Sequence, residues 1–278
     1  MPTIGDCWQL YSQQHLTETV ADRKNQSYWS RLSWFKDIQA EGLTPTEVRD
    51  YITHRGYPEG VMASTINREL GLLRACLRFA ERERRIERAP IVKALPKAAT
   101  RVRALSKVQA RTLLQAAVRR DIWQETAFLM LALGTAQRPG AIVDLTWDRA
   151  MGDTLDFRVS TPKSSRMKGR AIVPVNKLAK RALAIAHRHK RGPYVLHHDG
   201  RKVSRIDRLL RRVGDECGIV VTPHMLRHTA ASLLLQDGVD LLRVSRLLAH
   251  ANTIVTQTVY FHHQPSWLKD TIDKLSYD

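Results

Sequence analysis

The chain of 278 residues has only three cysteines, and Cys7, Cys76 and Cys217 are scattered. An odd set with no CxxC spacing excludes a disulfide framework and a cysteine zinc site. It points to a reducing compartment, and we expect the cytoplasm. No apolar run approaches the roughly 18 residues that a membrane-spanning helix needs. The opening MPTIGDCWQL has no basic flank and no long apolar stretch, so no signal peptide is expected. Internal repeats and low-complexity tracts are also missing, which excludes solenoids and tail-like segments. The largest deficit is in acidic residues, 27 against 45 Lys+Arg, leaving a net charge of +18. That deficit is uneven. Residues 1–99 carry 15 basic and 12 acidic side chains, whereas residues 100–278 carry 30 and 15. A long domain this basic meets a polyanion, most often nucleic acid. A membrane surface is disfavoured because no segment pairs a basic face with a broad apolar one. Charge that serves only solubility is the other alternative.

What is present suits a globular protein. An apolar fraction of 43% and this length predict two domains, each with its own core. The N-terminal part reads as four or five helices. Tyr28, Leu32, Phe35 and Ile38 recur at helical spacing. Thr44-Pro45-Thr46-Glu47 is a capping box, with Leu43 and Val48 placed as its hydrophobic staple. Ile66, Leu70, Leu73 and Leu77 form the core stripe of a helix beginning near Ser64, and Arg74, Arg78, Arg82 and Arg85 line another of its faces. That face suits a DNA backbone, or equally a solvated surface paired with Glu81 and Glu83.

Ala89–Ala104, with Pro90, Pro96 and small or basic residues, reads as an extended linker, and we place the domain boundary near Ala99. Ser106 and Gln109 form a second capping box, for a helix to about Val118. Trp123–Leu133 reads as an apolar helix broken at Gly134. Arg138 then stands at a turn before a buried helix, where an arginine can aim at a phosphate or pair with Asp144 or Asp148. Leu155–Val159 and Ala171–Val175 read as two strands, joined by the basic turn TPKSSRMKGR with Lys163 and Lys168. Asn176 and Ser204 are candidate caps for two further helices. Between them His187, His189, His197 and His198 crowd together without zinc-ligand spacing.

The chemistry gathers in Thr222–Tyr260. Thr222 caps a helix with Pro223 in its first turn, Gly238 ends it, and Asp240 caps the next. His224 and Arg227 share a helix face, with Leu226, Leu233 and Leu234 pointing into a core. His250 closes the second helix and Tyr260 follows ten residues later. His224 and His228 have the spacing of a zinc-protease helix, but Met225 stands where that motif needs a Glu. A nucleophilic tyrosine with arginine and histidine partners suits phosphoryl transfer. Taken singly, each of these residues reads more readily as packing or surface charge, and the decision rests on whether the rest of the chain supplies the missing parts.

With Arg138, Lys163, His224, Arg227, His250 and Tyr260 in this order, the sequence resembles the tyrosine recombinase (phage integrase) family over nearly its whole length. TINREL…LLRACLRFA, GTAQRPGAIVDLTW, HMLRHTAASLLLQDG and RLLAHANTIVTQTVY carry the likeness. It departs at three points. Tyr260 lies ten residues after His250 rather than nine. Ala141 replaces the acid often found three after the first arginine. Ala249 replaces the usual glycine before the last histidine.

The resemblance implies a mainly α fold with a small antiparallel β-sheet in the catalytic domain. A helical core-DNA-binding (SAM-like) domain is expected over residues 1–98 and a mixed α/β catalytic domain over 99–278, with no arm-type extension ahead of the first. It implies a site-specific recombinase cleaving DNA through a 3′-phosphotyrosyl intermediate. Tyr260 would be the nucleophile, Arg138 and Arg227 the phosphate clamp, Lys163 the general acid in preference to Lys168, His224 the aid to proton removal and His250 a phosphate hydrogen bond. No cofactor, metal or ATP is expected. The expected partner is double-stranded DNA, bound by a homotetramer on paired sites and by a monomer or dimer otherwise, with no membrane. A type IB topoisomerase-like enzyme and a DNA-binding relative without catalysis remain alternatives. The tail Pro265–Asp278, with Trp267, Leu268, Ile272 and Leu275, is expected to pack on its own domain or on a neighbour.

Overall fold

The computed structural model describes residues 1–16, 20–96, 103–150, 152–158, 169–250 and 253, with backbone only for 20–24. Lys163, Lys168, Tyr260 and the tail 265–278 lie outside the described residues. The chain divides into two compact units, Met1–Thr100 and Arg101–Asp278.

The first unit holds helices α1 (Ile4–Gln14), α2 (Val20–Leu32), α3 (Pro45–Gly56) and α4 (Ala63–Arg82). Capping boxes set two of the starts, Thr3 with Asp6 and Thr44 with Glu47. Ile66, Leu70, Leu73 and Leu77 of α4 are buried, with Cys7, Cys76, Phe35 and Tyr51 in the same core. The helical stripe from Tyr28 to Ile38 does not run in one helix. The Ser30 and Ser33 hydroxyls bond carbonyls three residues back, competing with the helical ladder. The chain tightens into a 3-10 turn at Ser33–Phe35, which still buries Leu32 and Phe35. Helix α4 likewise stops at Arg82, so Arg85 is not on the arginine face. Arg84 adopts a left-handed φ of 53°, and the Arg85 N–H returns to the Ala80 carbonyl. Arg78 and Arg82 are exposed, whereas Arg74 is half-buried and donates to the Val92 carbonyl at 2.9 Å. The predicted linker is therefore pinned in its first half: Val92 is buried, and Asn67 exchanges two hydrogen bonds with the Leu95 backbone.

The second unit runs α5 (Lys107–Arg120), α6 (Trp123–Thr135), α7 (Pro139–Val143), β1 (Thr154–Asp156), β2 (Ile172–Pro174), α8 (Lys177–Arg188), β3 (His197–His198), β4 (Arg201–Lys202), α9 (Ile206–Glu216), α10 (Pro223–Gln236) and α11 (Leu241–Leu247). β1 and β2 pair antiparallel, Leu155 opposite Val173, and β3 pairs antiparallel with β4. Helix α6 is buried almost all round, which its continuous apolar sequence requires.

Gly134 does not break α6. An added Cβ there would sit 3.0 Å from Asn176 Oδ1 and 3.3 Å from Leu178 Cβ, so the glycine lets α8 approach closely. Asn176 caps α8 through Ala179 N–H and also donates to the Gly134 carbonyl. Ser204 is not a cap, since Arg205 holds that position and α9 begins at the buried Ile206. The β3–β4 hairpin explains the histidine tract differently from a metal site. His197 is buried, and both its ring nitrogens meet backbone groups of His189, Arg191 and Gly200.

Candidate active site

Three elements of the second unit converge on one place. The first is the corner between α6 and α7. Ala136 ends α6 in a left-handed conformation, and buried Gln137 follows. The Gln137 side-chain amide donates to the Thr135 and Leu247 carbonyls, at 3.1 and 2.7 Å, which ties this corner to the end of α11. Arg138 then takes the N-cap position of α7, with Pro139 next. It pairs with neither expected aspartate. Its Nη1 donates to the Gly169 carbonyl, while Asp144 is taken by Arg170 and Lys202.

The second element is α10. Thr222 caps it by accepting from the Met225 N–H. His224, in its first turn, is exposed; Arg227, one turn on, is only 5% exposed. Arg227 Nη1 donates to the Ala136 carbonyl at 2.9 Å, and Nη2 donates to the Leu248 carbonyl at 2.7 Å and to His250 Nε2 at 3.1 Å. Leu226 and Leu235 are buried beneath, while Leu233 and Leu234 are half-buried.

The third element is the end of α11, which Asp240 starts by accepting from two backbone N–H groups. It closes in a Schellman motif: the Ala249 N–H returns to Arg246 and the His250 N–H to Ser245. Ala249 has φ 48°, a position where glycine is favoured. Gly169 lies against it, so close that a Cβ on Gly169 would sit 2.6 Å from the Ala249 carbonyl oxygen.

The electrostatics follow from this crowding of cations. Burial first, then the charges of Arg227, Arg138 and His228, push His250 down to about 4. Burial, Arg227 and His224 also lower His228. Arg138 is depressed by burial and by nearby Arg170. His250 is therefore neutral at pH 7. A guanidinium has no acceptor, so His250 Nε2 accepts from Arg227 and the ring proton sits on Nδ1. Two guanidiniums and a neutral N–H donor make a site for an anion with several oxygens.

Of the sequence-predicted residues, the structure brings Arg138, Arg227 and His250 together and leaves His224 at the edge, near His228. Gln137, Gly169, Arg170, Asp144 and His228 were not singled out as site residues. His228 has a signal in its place directly after Arg227, and Asp144 in its nearness to Arg138 along the chain; Gln137, Gly169 and Arg170 act through contacts between distant segments.

Residues 103–266 match the model of the phage integrase family. The chain is 31% identical over 239 residues to the tyrosine recombinase XerA of Thermococcus kodakarensis, covering 81% of this chain and 78% of that one. It is 28% identical over 267 residues to the tyrosine recombinase XerC of Thermodesulfovibrio yellowstonii, covering 86% and 84%. The crystal structure of a lambda integrase tetramer bound to a Holliday junction is similar in fold, with a TM-score of 0.75 at 18% identity, covering 94% of this chain and 78% of that one.

Proposed function

The chain belongs to the phage integrase family of tyrosine recombinases, and we propose that it is a site-specific DNA recombinase working through a 3′-phosphotyrosyl intermediate. The first unit is the DNA-gripping domain, with Arg78 and Arg82 against the phosphate backbone, and the second unit performs the chemistry. Arg138 and Arg227 bind the non-bridging oxygens of the scissile phosphate and offset the charge that builds up in the transition state. His250 donates from Nδ1 to the same phosphate. Tyr260 Oη attacks phosphorus, with His224 assisting removal of its proton. The bond to the 5′-oxygen breaks, and Lys163 gives that oxygen its proton. A 5′-hydroxyl from a partner duplex then attacks the phosphotyrosine and releases Tyr260. The arginine charges take the part that a metal ion plays in other phosphoryl transfers, and the covalent bond keeps the phosphodiester energy, so neither metal nor ATP enters these steps. Assembly on paired sites is as a tetramer, by analogy with the lambda integrase complex.

One observation carries this reading: Arg227 donates to His250 Nε2 at 3.1 Å, and Arg138 acts on the same ring. The test is Tyr260→Phe on a nicked duplex carrying the site found in DNA flanking the gene. The variant binds but forms no covalent adduct on a denaturing gel, whereas the unaltered protein forms one and joins two different duplexes. An adduct that survives in Tyr260→Phe assigns the attack to another tyrosine. Resealing of the same strand alone favours the topoisomerase-like alternative.

A further inference from the structure

The second unit carries a run of positive charge that the catalytic corner does not use. Helix α8 packs on α6 and buries Ala179, Ala182 and Ala186. At 3.6 residues per turn, Lys177, Lys180, Arg181 and Arg188 fall on the opposite face, and all four are exposed. None of them has a carboxylate partner among the described residues. Between Phe157 and Ile206 the sequence has one acidic side chain, Asp199, which reaches Arg191 Nη1 and His198 Nε2 only at 3.8 Å. Ala184, exposed between Arg181 and Arg188, leaves room for a partner to approach. The charge continues past the helix into Lys190 and Arg191, where a cleft of about 330 Å³ opens beside Trp123 and His198. This loop is firmly mounted. His189 stacks on Trp123 with ring centroids 5.0 Å apart, Lys190 lies over the Trp147 ring, and buried His197 donates to the His189 carbonyl at 2.7 Å. It also lies away from the catalytic corner. Asn176 bonds the Gly134 carbonyl at the C-terminal end of α6, whereas His189 stacks at the N-terminal end, so α8 runs antiparallel to α6. The length of α6 puts roughly 18 Å between Trp123 and the corner at Ala136–Arg138. Like charges three and four residues apart weaken a helix, and solubility is served by interspersed charge of both signs. A one-sided stripe of cations calls for an anionic partner.

We propose that the outer face of α8 and the loop after it bind the phosphate backbone of a second DNA duplex, separate from the one at the catalytic corner. From Lys177 to Arg188 the stripe is about 16 Å long, which matches about five phosphates of one strand at about 3.4 Å each. The contacts are cation to phosphate, so this duplex is held without regard to its sequence. The recombinase reading above is needed only for the first duplex.

The test loads the full chain covalently on the nicked site duplex, then titrates it with a labelled duplex that lacks the site, over a series of salt concentrations. The loaded unaltered protein should bind this second duplex, with log K falling linearly against log salt. The triple variant Lys180→Gln/Arg181→Gln/Arg188→Gln should form the adduct at the unaltered rate. Its slope for the second duplex should be shallower by about 2–3, from about 0.9 for each phosphate contact removed. All three positions are exposed and glutamine is a good helix former, so the fold is kept. The control Arg111→Gln/Arg119→Gln/Arg243→Gln removes the same charge from α5 and α11 and should leave the slope unchanged. A loaded protein that takes up no second duplex overturns the proposal. So does a triple variant with the unaltered slope, or a control that loses as much as the triple variant. If the unaltered protein forms no adduct, the recombinase reading fails instead, and the same salt series on the unloaded chain, triple variant against control, decides the α8 surface.

Discussion

Arg227 gives the strongest single test, because its carbonyl contacts and its proposed place in catalysis meet in one buried side chain. Replacing it with alanine removes a charged donor from the Ala136 and Leu248 carbonyls and from His250 Nε2. Ala136 and Leu248 are themselves buried, so water cannot easily replace the lost donor. Hydrogen bonds from charged groups contribute roughly 1.5–3 kcal/mol each, and three on one guanidinium are not additive. We expect Arg227→Ala to destabilise the second unit by about 3–5 kcal/mol, from the cost of leaving such groups unpaired. For a unit of this size that lowers Tm by roughly 6–20 °C. Arg227→Lys keeps the charge, but one ammonium cannot reproduce the planar fork that spans both carbonyls, so an intermediate loss is expected. Calorimetry reads the transition of the second unit. Cleavage is then assayed below each variant's melting range, where Arg227→Ala should still lose on the order of 10²–10³ in rate from the missing transition-state clamp. If Arg227→Ala melts with the wild type, the carbonyl contacts contribute nothing to stability. If the folded variant cleaves normally, the clamp is elsewhere.

The other predictions follow from the same site. His250 is held near 4 in the folded chain against 6.5 in the free side chain, so between those values the unfolded chain binds the extra proton. Stability should therefore be flat above about pH 6.5 and fall toward pH 4, by about 1–2 kcal/mol once partial exposure is allowed for. A pH series of melting curves should lose part of that slope in His250→Gln, and an unchanged slope would assign it to other groups. Ala249→Gly should stabilise the second unit by about 1 kcal/mol, since Ala249 holds a left-handed φ that costs an L-residue that much; a lowered Tm would contradict this. Lys163→Ala should be slow on the ordinary substrate and largely restored on a 5′-bridging phosphorothiolate, whose thiolate leaving group needs no general acid, while Lys168→Ala should show little defect. The reverse pattern transfers the general acid to Lys168.

What was legible in the sequence was local chemistry. Thr44, Ser106, Asn176, Thr222 and Asp240 cap the helices expected of them because a cap is decided by residues two or three apart. The order Arg138, Arg227, His250 is readable for the same reason, as short boxes at the start of α7, within α10 and just after α11. Spacing alone misleads where a strong local competitor intervenes. Serine hydroxyls cut the stripe before Phe35, and a left-handed Arg84 took Arg85 off α4. Gly134 looked like a breaker, but its reason is α8, more than forty residues further on. The supports of the site are of this second kind. Gln137 reaches 110 residues to the Leu247 carbonyl, Arg227 reaches 91 to Ala136, and Asp144 reaches 58 to Lys202. None of these pairs has a spacing rule, since each depends on how α6, α7, α10 and α11 close on one another. The cationic cluster is costly unless its like charges are separated by carbonyls and one carboxylate. The backbone oxygens of Ala136, Gly169 and Leu248, with Asp144 behind them, therefore offset the guanidiniums that crowd this corner.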